Sequence, residues 1–356
     1  MSETQNPALS VLDLVPVRSL PDGTRQSSAQ AVEASMALAQ RADELGYRRY
    51  WFAEHHNMPA VASTAPPVLI AAAAVRTRRI RVGSGGVMLP NHAPLIVAEQ
   101  FAALEALAPG RIDLGIGRAP GSDPVITQLL RRSGTTSEVD QFPQHVADIQ
   151  ALASPEGATL RFTSGGEYGV HATPSAEGSP EVWLLGSSDY SATLAAAKGL
   201  PYVFANHFAG DGLERAMSLY RQQFTPSDVL QEPKSFITAN VVASPTAEEA
   251  EERALPQLRQ FARLRTNKPM RPLETVEEAL AADSDALEQS MVAQNRARWF
   301  VGAAADVAAR LAEFAEKHGV DEVMISPAAG SYAAEALDAS VGRIQTLELL
   351  AQHLPA

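Results

Sequence analysis

Ile80-Arg81-Val82-Gly83-Ser84-Gly85-Gly86-Val87-Met88-Leu89 is an apolar β-type run, and Pro94 opens a helical pattern that lasts to Leu107. Pro109-Gly110 then punctuates, and Arg111-Ile112-Asp113-Leu114-Gly115-Ile116-Gly117 is a second β-type run. Strand, helix and strand in this order form a crossover unit, and the same alternation extends in both directions. Upstream, strands are expected over 9–15 and 47–53 and helices over 27–45 and 67–75. Downstream, a helix near 137–152 leads through a polar insertion at 161–180. Strands at 181–185, 202–205, 236–242 and 323–326 follow, separated by helices at 191–198, 213–224, 247–264 and 306–318 and closed by a helix at 333–350.

Eight strands alternating with helices predict a parallel sheet whose crossovers are helical. A doubly wound sheet would carry a glycine-rich turn after its first strand, but Val15-Pro16-Val17-Arg18 stands there. The expectation is therefore one (β/α)8 barrel domain over residues 1–356, with insertions in the loops at the carboxyl ends of its strands. The stretch 265–298 mixes charges around Pro269 and Pro272 without a long apolar stripe. It reads as a lid, and a docked helix over 276–292 is the alternative.

Composition narrows the chemistry. The net charge is −12, which disfavours a nucleic-acid partner, since phosphate backbones demand a basic face. Cysteine is absent, which removes disulfides, thiolate catalysis and cysteine metal sites. The eight histidines form no helical i,i+4 pair, and no histidine ends the first strand, so a metal is not expected. Residues 1–7 lack a basic start and an apolar centre, and the apolar run at 69–75 is too short for a bilayer. A cytoplasmic protein is expected.

In a barrel the chemistry sits where strands end. Strand two ends in Ala53-Glu54-His55-His56-Asn57, where one imidazole can enter the mouth and a carboxylate can orient or charge it. A structural Glu–His hydrogen bond explains the same residues. Strand three carries Gly83, Gly85 and Gly86, read as room for a planar ligand or as a bulge that shapes the wall. Strand four ends in Gly117-Arg118, an arginine placed for a phosphate fork or for a surface ion pair. Strand five ends in Gly186-Ser187-Ser188-Asp189-Tyr190-Ser191, where hydroxyls open a helix and either cap it or, with Arg118, grip one phosphate.

These stretches, with Ala98-Glu99-Gln100, Gly199-Leu200-Pro201-Tyr202, His207-Phe208, Phe300-Val301-Gly302 and Gly319-Val320-Asp321-Glu322-Val323-Met324-Ile325, resemble the bacterial luciferase-like flavin-dependent monooxygenases in order and spacing. The resemblance runs from about residue 9 to 350. It implies reduced FMN, supplied by a separate flavin reductase, which reacts with O2 to oxygenate a small organic substrate. It also implies a phosphate held at Arg118, Ser187, Ser188 and Ser191, and a flavin ring on Gly85-Gly86 across a cis peptide. Glu99 would be a carboxylate near the flavin, His55 the active-site histidine with Glu54 beside it, and the assembly a homodimer packed through the early helices. Ser187 and Gly117 replace an acidic residue and a cysteine of the light-emitting members, which points to the non-luminescent branch. The rival readings are hydride transfer with the deazaflavin F420 on the same barrel, and a silent flavin binder.

Overall fold

Val82 pairs with Ile112 and Met88 with Gly117, so the strands expected over 80–89 and 111–117 run side by side and parallel. The computed structural model describes residues 6–19, 22–132, 139–154 and 156–355. In chain order the elements are β1 (Ala8–Asp13), α1 (Ser28–Glu44), β2 (Arg49–Phe52), α2 (Pro66–Arg76), β3 (Arg81–Met88), α3 (Pro94–Leu107), β4 (Ile112–Gly117), α4 (Pro124–Arg132), α5 (Phe142–Ala153), β5 (Ala158–Arg161) and β6 (Glu167–Val170). There follow β7 (Glu181–Gly186), α6 (Asp189–Ala197), β8 (Tyr202–Phe204), α7 (Leu213–Gln223), β9 (Ser235–Ser244), α8 (Ala247–Arg265), α9 (Val276–Ala281), α10 (Ala286–Arg298), β10 (Phe300–Ala303), α11 (Ala304–His318), β11 (Glu322–Pro327) and α12 (Val341–His353).

Pairing runs β9-β11-β1-β2-β3-β4-β7-β8, and β8 returns to β9, so eight parallel strands close into a barrel ringed by helices. A barrel leaves no edge for another chain to extend. Its axis is filled by Leu12, Trp51, Trp183, Val203, Phe236 and Met324, one cluster drawn from six strands. The outward faces of the same strands pack against the helices through a larger apolar layer. Each such fully buried side chain contributes roughly 1.5–3 kcal/mol relative to exposure.

The amino-terminal end is plugged by charge. Arg49 donates to Asp113, Glu181 and Glu322, while Trp51 Nε1 donates to Asp113. That leaves the other end of the barrel for chemistry. Helix boundaries follow local chemistry: Ser27 and Gln30 form a capping box at α1, and α11 closes on Gly319 in the left-handed region at φ 59°.

Four expectations need correction. The connection after β4, read as irregular, holds α4, and the helix expected near 137–152 begins at Phe142, its first two positions lying outside the described residues. The polar insertion contains an antiparallel hairpin, β5 with β6. A ninth parallel strand, β10, pairs with the far end of β9. The closing helix starts at Val341 rather than 333, and the backbone before it is tied to side chains from the loop after β1. Arg18 donates to the carbonyls of Tyr332 and Glu335, and Gln26 donates to that of Leu337. These bonds pin the segment to the loop after β1 as a turn, in which Tyr332 O also accepts the Glu335 N–H at 3.1 Å.

The lid stretch forms two helices docked on α8. Thr275 and Asp285 cap them, Val276 and Ala279 are buried, and Arg259 bonds Glu274 and Glu288 beneath. The docked-helix reading matches this arrangement better, although the helix is broken between Ala281 and Ala286.

Candidate active site

Side chains alternate along a strand, so the barrel-filling residues identify which later positions look into the mouth. Trp51 and Ala53 lie inside, and His55, three residues past the end of β2, is near enough to His207 for their charges to interact; Phe236 lies inside, which sends Thr238 and Asn240 inward. Trp183 and Leu185 do the same for β7. His55, Thr238 and Asn240 therefore face one chamber at the carboxyl end, together with the glycines of β3 and β4.

His55 is fixed through its backbone, whose N–H donates to Ser63 O at 3.0 Å. Its Nδ1 is buried with no partner among the described residues. Burial pushes the imidazole below its ordinary pKa, and the Gly121 backbone and the Glu54 charge only partly oppose this. A neutral ring with an unsatisfied nitrogen in a strand-end chamber is a group kept for a ligand.

Glu54 does not serve His55 directly, and this corrects the expected pairing. Alternation turns it the other way, where Oε1 meets His56 Nε2 at 2.8 Å and His92 Nε2 at 2.9 Å, and Oε2 accepts the Met88 N–H at 2.9 Å. Burial alone would raise its pKa; the two histidines and the Met88 amide outweigh that and hold it at about 2. Glu54 is a fully buried anion tying the end of β2 to the end of β3. Sequence reading missed His92, 38 residues away, because nothing local marks it.

Gly85-Gly86 is joined by a cis peptide, and the β3–β4 register shifts between Gly85 and Val87. A Cβ at Gly85 would sit 2.6 Å from Leu12 Cδ1, and one at Gly86 would sit 2.8 Å from Gly115 O. Gly86 is thus required by the β4 backbone beside it, the bulge reading, while at Gly85 the Leu12 side chain would have to turn away.

Arg118 is exposed, and its guanidinium lies 3.8 Å from the Tyr190 ring centre, so the end of β4 meets the start of α6. No carboxylate pairs with Arg118 among the described residues. Ser188 is the N-cap of α6 yet makes no side-chain capping bond, and Ser187 beside it is half-buried. An unpaired arginine, uncapped helix N–H groups and two available hydroxyls make a ready anion seat. Ser191 is not part of that seat as expected: it is buried, and its Oγ donates to Ser188 O at 2.8 Å and meets Tyr202 OH at 3.3 Å. Glu99 is also elsewhere. It stands in the second turn of α3 and accepts from Thr173 of the insertion at 3.0 Å, so the structure joins it to the outer ring rather than to the mouth. Tyr190, the platform under Arg118, escaped sequence reading because only the fold brings the two together.

Among the described residues no group of histidines and carboxylates could hold a metal, and no helix is long and apolar enough to cross a membrane.

Residues 14–322 match the family model described as luciferase-like monooxygenase. The chain is 40% identical over 322 residues to a luciferase-like monooxygenase of Escherichia coli, covering 90% of this chain and 91% of that one. It is likewise 40% identical over 328 residues to the uncharacterized protein YvbT of Bacillus subtilis, covering 91% and 92%. Among solved structures, apo-MsnO8 superposes with a TM-score of 0.84 at 32% identity, covering 99% of this chain and 98% of that one. The chain belongs to the luciferase-like monooxygenase family and is a flavin-dependent monooxygenase.

Proposed function

We propose that the flavin is FMN and that this enzyme uses its reduced form, with O2, to oxygenate a small organic substrate. The observation that carries the reading is the anion seat at Arg118, Ser187 and Ser188, next to a chamber lined by His55. FMN supplies a phosphate for the first and a redox ring for the second. Bound there, the flavin provides the chemistry that activates oxygen.

The protein's own contributions are positional. Arg118 and the start of α6 hold the phosphate, with Tyr190 keeping the guanidinium over that helix end. The β3–β4 wall has no side chains at Gly85, Gly86 and Gly117, so a ring can lie against its backbone. His55, neutral and unpartnered at Nδ1, holds or moves a proton beside it. Glu54, braced by His56 and His92, keeps the ends of β2 and β3 at the spacing the site needs.

A separate reductase is the electron source in this reading, as the chain carries no glycine-rich dinucleotide turn. A homodimer through α2 and α3 is supported by Val68 and Val75 on one helix and Ile96 on the next, all large apolar side chains left exposed. Mass photometry reads the oligomeric state.

The test of function is chemically reduced FMN offered with a panel of small organic molecules under 18O2. A gain of one labelled oxygen supports the reading. Spectra of the copurified cofactor separate FMN from the deazaflavin, and F420 absorption would overturn the choice of FMN.

A further inference from the structure

His207 follows β8 and is tied to the inward face of β9 by three bonds. Its backbone N–H donates to Thr238 Oγ1 at 3.1 Å, its Nδ1 meets the same oxygen at 2.7 Å, and its carbonyl accepts from Asn240 Nδ2 at 2.8 Å. Thr238 Oγ1 also reaches Phe204 O at 3.3 Å. A hydroxyl has one proton and two lone pairs. Only one assignment satisfies every contact: the hydroxyl proton goes to Phe204 O, and the two lone pairs accept the backbone N–H and an Nδ1–H. If the hydroxyl donated to Nδ1 instead, two oxygens would face each other with no hydrogen between them. Thr238 therefore fixes the Nδ1–H tautomer, and Nε2 is left as a bare acceptor with no partner among the described residues.

Because Thr238 and Asn240 point into the barrel, the imidazole they hold lies at the chamber that His55 lines from β2. We propose that His207 is a specificity-determining residue whose Nε2 accepts a hydrogen bond from the substrate, so that the preferred substrates carry an O–H or N–H group near the centre that is oxygenated. This deepens the flavin-monooxygenase reading above and rests on it.

The electrostatics keep the acceptor available. Burial, assisted by the charge His55 would carry, lowers the His207 pKa to about 4, so the ring stays neutral at physiological pH. Two cations contact the 205–210 loop, as Arg265 donates to Phe208 O at 2.7 Å and Arg298 lies against Gly210, and Asp211 follows the loop. No carboxylate among those contacts would invite a proton onto the ring. A site that offers an acceptor to its substrate discriminates against the analogue that lacks the donor, because the acceptor then loses water without gaining a partner.

The first arm of the test needs no substrate. In protein labelled with 15N-histidine, His207 should show a protonated Nδ1 and a pyridine-type Nε2, unchanged between pH 8 and pH 5, and Thr238→Val should release that tautomer. An Nε2–H tautomer in the wild type, or a titration near pH 6.5, overturns the inference. The second arm uses diethyl pyrocarbonate with peptide mapping. Nε2 of His207 should be carbethoxylated in the apoprotein and protected at least tenfold by saturating FMN; unchanged reactivity with FMN bound overturns the inference. FMN that fails to bind, read from flavin fluorescence in the same samples, instead overturns the flavin reading, while the tautomer result stands by itself. The third arm takes any molecule oxygenated in the panel and compares it with its O-methyl or N-methyl analogue. The wild type should prefer the donor form at least tenfold in kcat/KM, His207→Phe should lose that preference, and His207→Gln should keep part of it. Equal loss for both substrates in His207→Phe and His207→Gln marks a structural role and overturns the proposal.

Discussion

Glu54 and His56 bond at 2.8 Å across the residue between them, so the histidine that the sequence placed beside Glu54 is the one that faces away. The carboxylate is fully buried, and its pKa falls from 4.5 to about 2. A lowered carboxylate pKa contributes stability that is complete above the unfolded value and is lost as pH falls through the folded one. The window is thus from about pH 4.5 down to about pH 2, and the contribution is about 3 kcal/mol at neutral pH. Glu54→Gln should lower the denaturation midpoint at pH 7 and flatten its acid dependence across that window. An unchanged slope would mean that Glu54 is not the anion this geometry makes it.

His55 and His56 should separate cleanly on mutation. His55→Ala removes a ring with no side-chain partner, so folding and FMN affinity should hold while turnover falls roughly 10²–10⁴-fold, the usual span of acid–base catalysis. His56→Ala removes one brace of a buried carboxylate and should cost stability, about 1–3 kcal/mol, before it costs turnover. Urea titration and steady-state rates on the two variants check both halves. Wild-type turnover in His55→Ala would end its role.

The difference between those two histidines shows where sequence reading stops. Periodicity and punctuation located all eight barrel strands and hence the strand ends, because a closed parallel barrel repeats one signal many times. Which way a side chain turns after its strand ends depends on partners distant in sequence: His92 for Glu54, Tyr190 for Arg118, Thr238 for His207. Ser191 was placed on the correct helix turn but bonds back to Ser188 O. The segment before α12 is rich in alanine and looked helical, yet Arg18 and Gln26, more than 300 residues earlier, take its carbonyls. The hairpin strands are exposed along most of their length and so carry no apolar alternation, and β10 is an addition at the far end of β9 outside the ring of eight.

Arg49 carries the strongest stability expectation outside the site. It is buried and bonds Asp113 at 2.8 Å, Glu322 at 3.0 Å and Glu181 at 3.1 Å. Arg49→Met fills much of the same space but removes the central cation between two nearly inaccessible carboxylates, leaving Asp113 to Arg81 and Trp51 and Glu322 to Arg48 and Ser10. Removing one partner of a buried ion pair typically costs about 3–5 kcal/mol. Chemical denaturation should show a loss of that size, larger than for Arg48→Met, whose side chain is 41% exposed. Equal effects from the two would mean that the plug is not a coupled network.

The phosphate seat tests the choice of cofactor most directly. Arg118 has no carboxylate partner among the described residues, and Tyr190 holds its guanidinium from below at 3.8 Å. Stacked in this way, the fork keeps its N–H edges free for an anion. FMN and riboflavin share a ring and differ by the phosphate, so FMN should bind far more tightly. Arg118→Ala should remove a charge-assisted contact worth about 1.5–3 kcal/mol, a loss of roughly 10- to 150-fold in FMN affinity. Riboflavin affinity should hardly change, since it has nothing to offer that arginine. Tyr190→Leu should give a smaller loss, because it keeps the charge and removes only the platform that aims it. Ser191→Ala should leave FMN affinity within about twofold, as its hydroxyl is spent on Ser188 O and Tyr202. Fluorescence titration of both flavins against all four proteins gives the comparison. Equal affinity of the wild type for FMN and riboflavin would remove the seat, and a Ser191→Ala loss as large as that of Arg118→Ala would mean that the serine turns toward the phosphate when the flavin is bound.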